Sequence, residues 1–526
     1  MEPDRAPLTR RATIAALPVL FLGYLFVYPM IRVLALAFGG EDGLAGFADV
    51  LASPRMRASV WFTLWQATLS TILTLAAAAP ITWAIARFRF PGRSLVKGLV
   101  VVPFVLPTVV VGTAFVALGV AGTLWAILAA HVFFNVAVVV RTVGGLWSRI
   151  DPTLLESART LGASPARAFR EVTLPLLRPA LLAAASLVFL FTFTSFGVVL
   201  ILGGLRYRTI EVEIYQQAVT FLDLPTAGAL AVLQLVGVSM ALALYSRHQE
   251  RTSVRLRLVA EETALRRPSG AERWMVAMSV TGTAAFLGAP LVALVSRSFA
   301  DGGAGWRYLA RPGPLAVTPA DAVANSLGFA LLATVIALAV GLAAALVVAG
   351  GWGRLSQWFD VVLMLPLGTS AVTIGFGLLV ALDRPVDLRA SLLLVPLAHA
   401  LVAVPFVVRT TVPLLRSIRQ DLRDAAAVLG ASPRRVFREV DLPIVARAAA
   451  VGAGFAAAVS LGEFGATAFL ARPATTTIPF LVYRLLSRPG AVTFSAAMAM
   501  AVVLAIATAG LVLAIDRLRA GELGRF

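Results

Sequence analysis

Glu156-Ser-Ala-Arg-Thr-Leu-Gly162-Ala-Ser-Pro165-Ala-Arg-Ala-Phe169-Arg-Glu-Val-Thr-Leu174-Pro175 occurs twice in this chain. The second copy is Asp424-Ala-Ala-Ala-Val-Leu-Gly430-Ala-Ser-Pro433-Arg-Arg-Val-Phe437-Arg-Glu-Val-Asp-Leu442-Pro443, 268 positions later; from 156 to 180, 14 of 25 aligned residues are identical. The same offset aligns His131 with His399, Arg141 with Arg409, Phe196-Gly197 with Phe464-Gly465, and Tyr215 with Tyr483. Both copies are polar islands between long apolar runs. A polar segment kept alike in both halves points to one job done twice, the docking of a soluble partner with twofold symmetry.

The surroundings set the class. The chain has 526 residues, of which 59% are hydrophobic and only 14% charged, and its mean hydropathy is +0.88. Soluble domains carry about 25% charged residues. Runs of roughly 20 apolar residues suffice to span a bilayer as helix, and twelve such runs read out at about 13–38, 58–86, 98–118, 122–142, 180–203, 226–246, 274–296, 322–349, 358–382, 390–412, 447–470 and 492–515. The expectation is an all-α polytopic membrane protein with about 12 transmembrane helices in two parallel six-helix repeats. Residues 1–246 form the first membrane domain, 247–273 a cytoplasmic linker, and 274–526 the second membrane domain.

The formal net charge of +18 is read as cytoplasmic loop charge, because Lys and Arg collect on the inner side of membrane proteins. No basic-aromatic patch lies outside the membrane pattern, so a nucleic-acid partner is not expected. With the N-terminus inside, both islands, the Arg-rich stretch from Arg247 to Arg273 and both termini fall on the cytoplasmic side, while acidic residues such as Glu41, Asp49, Glu211, Glu213, Asp301 and Asp387 fall in outer loops. The run from about Ile14 to Phe38 is longer than a signal-peptide core and reads as the first membrane helix. The absence of cysteine excludes disulfides and thiolate metal sites. Lys97 is the only lysine and is followed by Gly-Leu, which excludes a phosphate-binding loop of the GxxxxGK[ST] type. No cofactor is expected on this chain; if the protein uses ATP, another chain must bind it.

Each island reads as two short helices about a glycine turn. Asp151-Pro152 is an N-cap followed by N1, Gly162 suits C′, and Ser164-Pro165 repeats the start signal. Pro175 reads as the end of the second short helix. Arg167 and Arg170 share a helix face, as do Arg435 and Arg438, and Phe169 and Phe437 each add an apolar knob. An interfacial helix whose arginines touch anionic lipid is the simpler alternative, but it does not account for the caps, glycines and acids kept in both copies.

The pattern of an acidic residue, one residue, Ala, three residues, Gly, nine residues, an aliphatic residue, one residue and Leu-Pro resembles the EAA loop of permease subunits in binding-protein-dependent ABC importers. Both copies match it without a gap, with Ser157 and Asp424 as mild departures. The resemblance implies the type I importer permease fold, with each loop seated as a coupling helix in one of two ABC ATPase subunits and substrate delivered by an extracytoplasmic solute-binding protein. The membrane would be the bacterial inner membrane. Carried over by position, Glu156, Ala158 and Gly162 with Arg167 and Arg170 form the first coupling loop; Asp424, Ala426 and Gly430 with Arg435 and Arg438 form the second. Fused six-plus-six permeases of this family include those for thiamine and for ferric iron. The segments Ala130-His131-Val-Phe-Phe-Asn135, Phe193-Thr-Ser-Phe-Gly197, Gly462-Glu463-Phe464-Gly465 and Thr477-Ile-Pro-Phe-Leu-Val-Tyr483 are most similar to the thiamine permeases. Thiamine or its phosphates is therefore the first expectation for substrate, and ferric iron the alternative.

Four residues are candidates for the translocation path: Ser195 and Phe196, and their counterparts Glu463 and Phe464. An ionisable residue inside a membrane helix is a functional candidate, and a carboxylate suits a cation. Gly-Glu-Phe-Gly, however, also resembles permeases for sulfate and molybdate, and a carboxylate held by a neighbouring hydroxyl or by Arg472 for packing or gating fits the same residues. His131 and His399 read as hydrogen-bonding between helices rather than as metal ligands, and the two phenylalanines as packing. A secondary transporter would need several intramembrane charges, where Glu463 is the one clear case; a membrane-embedded enzyme would need a clustered catalytic set, and no HExxH occurs. No catalytic residue and no metal ligand is expected.

Overall fold

The structure, a computed structural model, describes residues 8–39, 43–204, 206–252, 260, 264–310, 317–350, 354–384, 387–417 and 420–523. Among them, ten helices are long and apolar enough to cross a membrane, or twelve if two sharply bent pairs each count as one span. The all-α polytopic expectation holds. Much of the linker expected at 247–273 (253–259 and 261–263) lies outside the described residues; its end is anchored where Arg266 stacks over Phe88 and pairs with Glu272.

The first half contains α1 (Thr13–Phe38), α2 (Pro54–Arg87), α3 (Arg93–Val105), α4 (Thr108–Ala117), α5 (Leu124–Trp147), α6 (Pro152–Thr160), α7 (Pro165–Phe193), α8 (Gly197–Leu202), α9 (Ile210–Tyr215) and α10 (Leu224–Thr252). The second half repeats the series as α11 (Ala271–Ser298), α12 (Pro319–Ala349), α13 (Arg354–Gly368), α14 (Ala371–Ala381), α15 (Leu394–Ser417), α16 (Gln420–Val428), α17 (Arg434–Gly462), α18 (Gly465–Leu470), α19 (Ile478–Leu486) and α20 (Ala491–Leu523).

Four of the expected straight spans are broken. The spans at 98–118 and 358–382 are the pairs α3–α4 and α13–α14, each bent by 101°. In the first, Leu106 precedes Pro107 and is held extended at φ −67°, ψ 139°, because the proline ring excludes the helical region for the residue before it. In the second, Ser370 is extended and its hydroxyl accepts the Thr373 N–H at 3.0 Å, capping α14. The spans at 180–203 and 447–470 break at Ser195-Phe196 and at Glu463-Phe464, leaving the short helices α8 and α18.

The prolines at 175 and 443 do not end helices, contrary to the sequence reading. α7 runs through Pro175 because one wide turn, Phe169–Thr173, precedes it, with the Leu174 N–H reaching back to the Phe169 carbonyl. The same turn recurs at Phe437–Asp441. A π-type turn of this kind shifts the hydrogen-bond ladder by one residue, so a residue with no N–H is carried without breaking the rod.

Packing divides the chain differently from the sequence repeat. One compact unit comprises Met1–Val50, Ile214–Val232 and Asp301–Phe526; the other comprises Leu51–Glu213 and Leu233–Ala300. The first helix of each half thus belongs to the unit built mainly from the other half. In the first unit α1 packs on α12 and α14; Gly377 on α14 admits it, since a Cβ there would lie 2.8 Å from Met30 Cε and 3.2 Å from Pro29 Cβ. The core of this unit is α12 against α15 and α17, along a buried stripe of Ala333, Ala337, Gly341 and Ala344. Small residues at this spacing let apolar helices approach closely enough to associate by van der Waals contact, the force left to them in hydrocarbon. In the second unit α5 and α7 pack on α2, and α11 packs on α2, α3 and α4.

In each unit the bent half-helix rests on the short helix after the second break, α4 on α8 and α14 on α18. A Cβ at Gly375 would lie 2.6 Å from the Ala466 Cα, whereas one at Gly112 would meet only the Ile201 side chain, at 3.1 Å. Gly375→Ala is therefore expected to destabilise the protein by about 1–3 kcal/mol, the range for overpacking against fixed atoms. Gly112→Ala, facing a side chain that can rotate, should cost less. Thermal unfolding of the two variants in detergent checks the difference, and equal effects would show that α18 can shift away from α14.

Candidate functional site

The residues singled out in the sequence fall into two kinds of place: the islands, and the breaks in α7–α8 and α17–α18.

In the first island the Asp151 carboxylate accepts the Thr153 N–H at 3.0 Å and starts α6. The helix stops at Gly162, whose φ of +87° is left-handed. There the Gly162 N–H donates to the Arg159 carbonyl at 3.0 Å and the Ala163 N–H to the Ala158 carbonyl at 3.0 Å. This is the paired bond of a Schellman turn, which satisfies two carbonyls a helix end leaves open. The second island repeats it at Gly430, with φ +80° and bonds from Gly430 to Ala427 at 2.9 Å and from Ala431 to Ala426 at 3.0 Å. The alanine and glycine of the repeated motif are the C3 and C′ positions of one rigid turn. Ser164 then caps α7 through the Arg167 N–H at 3.3 Å.

The charged residues of the islands face outward. Glu156, Asp424, Arg170 and Arg438 are exposed. Arg167 pairs with Glu171 at 3.3 Å and Arg435 with Glu439 at 2.9 Å, both one helical turn apart and solvated; such pairs contribute little to stability. The two islands are braced differently. Phe169 packs on Trp147 at the end of α5, 6.0 Å between ring centres, and Arg423 ties α16 to Asp441 at 2.9 Å.

The structure adds two residues that sequence reasoning passed over. Leu161 is 89% exposed and Leu429, its counterpart, 87%. Each is the last residue before the turning glycine, held outward by a capped helix end. The same apolar side chain thus stands in solvent at the same place in both copies. The signal was present in the sequence as Leu-Gly in both islands, but a leucine reads as inward-facing until a structure shows otherwise.

At the breaks the histidines act as latches. In one unit His131 on α5 meets the Ser70 hydroxyl of α2 with Nδ1 at 3.0 Å and the Ser195 hydroxyl with Nε2 at 2.9 Å. In the other, His399 on α15 meets Ser460 with Nδ1 at 2.8 Å and Thr467 with Nε2 at 2.8 Å, and its Nε2 lies 3.5 Å from Glu463 Oε2. The Glu463 carboxylate accepts the N–H groups of Ala466 and Thr467, both at 3.0 Å, and the Thr467 hydroxyl at 2.9 Å. With the Thr467 proton given to Glu463, Nε2–H of His399 is the donor to Thr467 and Nδ1 accepts from Ser460. Glu463 thus caps α18, and the neighbouring hydroxyl is Thr467; Arg472 instead donates its backbone N–H to Thr475 at 2.9 Å. Ser195, Phe196, Glu463 and Phe464 are all buried. Phe464 packs on Tyr483 at 5.7 Å between ring centres.

Two acids assigned to an outer loop are buried instead. Glu211 and Glu213 lie on α9 with no exposed surface. Glu213 accepts both arms of Arg55, at 3.2 and 3.0 Å, with Arg208 at 3.5 Å, and Glu211 accepts from Gln234 at 2.8 Å. A buried carboxylate needs such partners, and Arg55 is far from it in sequence. Among the described residues, no group of three or more His, Asp or Glu is placed to hold a metal ion.

A family described as binding-protein-dependent transport system inner membrane component matches residues 76–252 and 337–520. The chain is 29% identical to the thiamine transport system permease protein ThiP of Brucella abortus, with 99% of each chain covered. It is 32% identical to the sulfate transport system permease protein CysT of Salmonella typhimurium, over 39% of this chain and 81% of that one. It is 29% identical to a putative 2-aminoethylphosphonate transport system permease protein, PhnU, of the same organism, over 45% and 92%.

Replacement of Glu463 separates its capping role from a role in the path. Glu463→Ala removes the acceptor of two backbone N–H groups and is expected to lower stability by about 1–3 kcal/mol. Glu463→Gln keeps one acceptor oxygen and should lose less than half of that. Unfolding in detergent reads both; unchanged stability in Glu463→Ala would remove the cap from the account.

Proposed function

The chain belongs to the binding-protein-dependent transport system inner membrane components, and from that premise we propose that it is the permease through which an ATP-driven importer passes thiamine or thiamine phosphates. The family is one of transport permeases rather than enzymes, and the two repeats of membrane helices give the chain the type I ABC importer permease fold. Two ABC ATPase subunits, carrying ATP and magnesium, dock on the islands. An extracytoplasmic solute-binding protein delivers the substrate, and both termini face the cytoplasm of a bacterium. Support for thiamine comes from the similarity to a thiamine permease along the full length of both chains.

The observation that carries the coupling role is the pair Leu161 and Leu429, standing out of matched, capped turns. Each island continues into its membrane helix with no loop between them: α7 runs 29 residues from Pro165 to Phe193, and α17 runs 29 residues from Arg434 to Gly462. At 1.5 Å per residue each is a rod of about 40 Å. Its far end is the break latched by His131 in one unit and by His399 in the other. Closure of the ATPase pair on ATP displaces both islands, and each rod carries the displacement to its latch. ATP and the loaded binding protein shift this equilibrium only through contacts that differ between the two states.

Leu161→Glu with Leu429→Glu is expected to abolish co-purification of the ATPase subunits while leaving the chain's own melting temperature unchanged, since both side chains are solvent-exposed. Retained ATPase subunits would sink the docking assignment. For substrate, the assembled complex in proteoliposomes is given binding protein loaded with thiamine or with ferric iron. Stimulation of ATP hydrolysis by thiamine alone is the expected result; stimulation by ferric iron alone would replace thiamine with iron in this reading.

A further inference from the structure

Beside the latch in the unit containing residues 51–213, an apolar groove of about 630 Å³ lies between α2, α7 and the 237–244 stretch of α10. It runs from Phe193 and Gly237 at one end toward Pro179 and Leu244 at the other, nearer the island. Among the described residues, no charged side chain lines it. Two of its hydroxyls are spent within their own helix, Thr68 on the Leu64 carbonyl at 2.9 Å and Thr71 on the Ala67 carbonyl at 2.8 Å. The walls therefore offer apolar surface and almost nothing to a polar ligand.

The matching place in the other half is shut. There α17 packs directly on α20, with the Ile515 side chain lying where a Cβ on Gly454 would have to be. The first half has Ser186 in place of Gly454 and Arg247 in place of Ile515. A larger residue on α7 and a charged one on α10 cannot make that contact, and the groove remains. Arg247 is exposed three residues beyond Leu244, and Arg178 is exposed next to Pro179. In the second half Arg178 is replaced by Ala446. By helix spacing, Arg178, four residues before Leu182, and Arg247, three beyond Leu244, continue the lining faces of α7 and α10 toward the island, at positions where the closed half has Ala446 and Ile515.

We propose that this groove binds an anionic phospholipid, one acyl chain lying against α2, α7 and α10 and the headgroup phosphate held by Arg178 and Arg247. Guanidinium groups match phosphate with paired, charge-assisted hydrogen bonds, and basic residues between membrane helices at the cytoplasmic face bind anionic headgroups. The proposal rests on placing the islands on the cytoplasmic side. The bound chain does in the first half what Ile515 does in the second: it fills the space between the fifth and sixth spans, on the helix that carries the coupling island.

The test is native mass spectrometry of the purified full-length chain titrated with phosphatidylglycerol or phosphatidylcholine. Wild type is expected to retain one phosphatidylglycerol with roughly thirtyfold preference, the effect of two arginines near a charged headgroup. Arg178→Gln with Arg247→Gln, both on exposed positions, should erase the preference. Ser186→Gly with Arg247→Ile, which installs the pair found in the closed half, should lose the retained lipid altogether, with wild-type melting temperature showing that the fold is intact. Equal retention of the two lipids by wild type, or an unchanged preference in the double glutamine variant, would overturn the proposal.

Discussion

Backbone groups in a membrane interior must find partners within the protein, because no water is there to supply them. This chain interrupts its apolar spans twice in each half, at the bends before α4 and α14 and at the breaks before α8 and α18. Every interruption frees N–H groups, and at α14 and α18 a nearby side chain meets some of them. Ser370 meets one on α14. Glu463 meets two on α18 and is itself held by Thr467 beside His399. The broken helices then lean on each other, α4 on α8 and α14 on α18, with Gly375 pressed against the backbone of Ala466. Short helices of this kind would not be stable alone; the capping and the contact make them possible.

The duplication supplies the parts in pairs, and the pairs have diverged where the two halves do different work. His131 and His399 both bind the break that follows the fifth span, but one meets a serine and the other a carboxylate and a threonine. Glu211 and Glu213 lie buried against Gln234 and Arg55, while the corresponding positions in the second half are Pro479 and Leu481. Ser186 and Arg247 leave open a groove that Gly454 and Ile515 close. A path for a substrate with no twofold symmetry requires such differences. The two islands, by contrast, keep the same glycine turn and the same exposed leucine, as docking to two copies of one subunit would require.

Much of this was legible beforehand. The apolar runs, the 268-residue repeat and the turning glycines can be read directly, and the caps at Asp151 and Ser164 form as their spacing indicates. Helix–helix bonding by the two histidines was also the preferred reading. The failures share a cause. Pro175 reads as a helix end, yet the wide turns before it and before its counterpart Pro443 keep both helices intact. The spans at 98–118 and 358–382 read as single apolar runs, and each bends by 101°. The burial of Glu211 and Glu213 is not legible in the sequence, since the arginine that makes it tolerable, Arg55, lies 158 positions from Glu213.

The membrane class, the duplication, the family and the geometry of each island turn are legible from the amino-acid order alone. These depend on composition and on contacts within a few residues, such as the Ala158 carbonyl with the Ala163 N–H. The packing of each half's first helix with the other half's helices, the capping of α18 by Glu463 and the exposure of Leu161 and Leu429 emerge only from the folded chain. Those outcomes depend on which distant segment arrives at a given surface. A residue's own neighbours in the chain carry no record of that, and in a chain so uniformly apolar almost every helix face could have been the one that was buried.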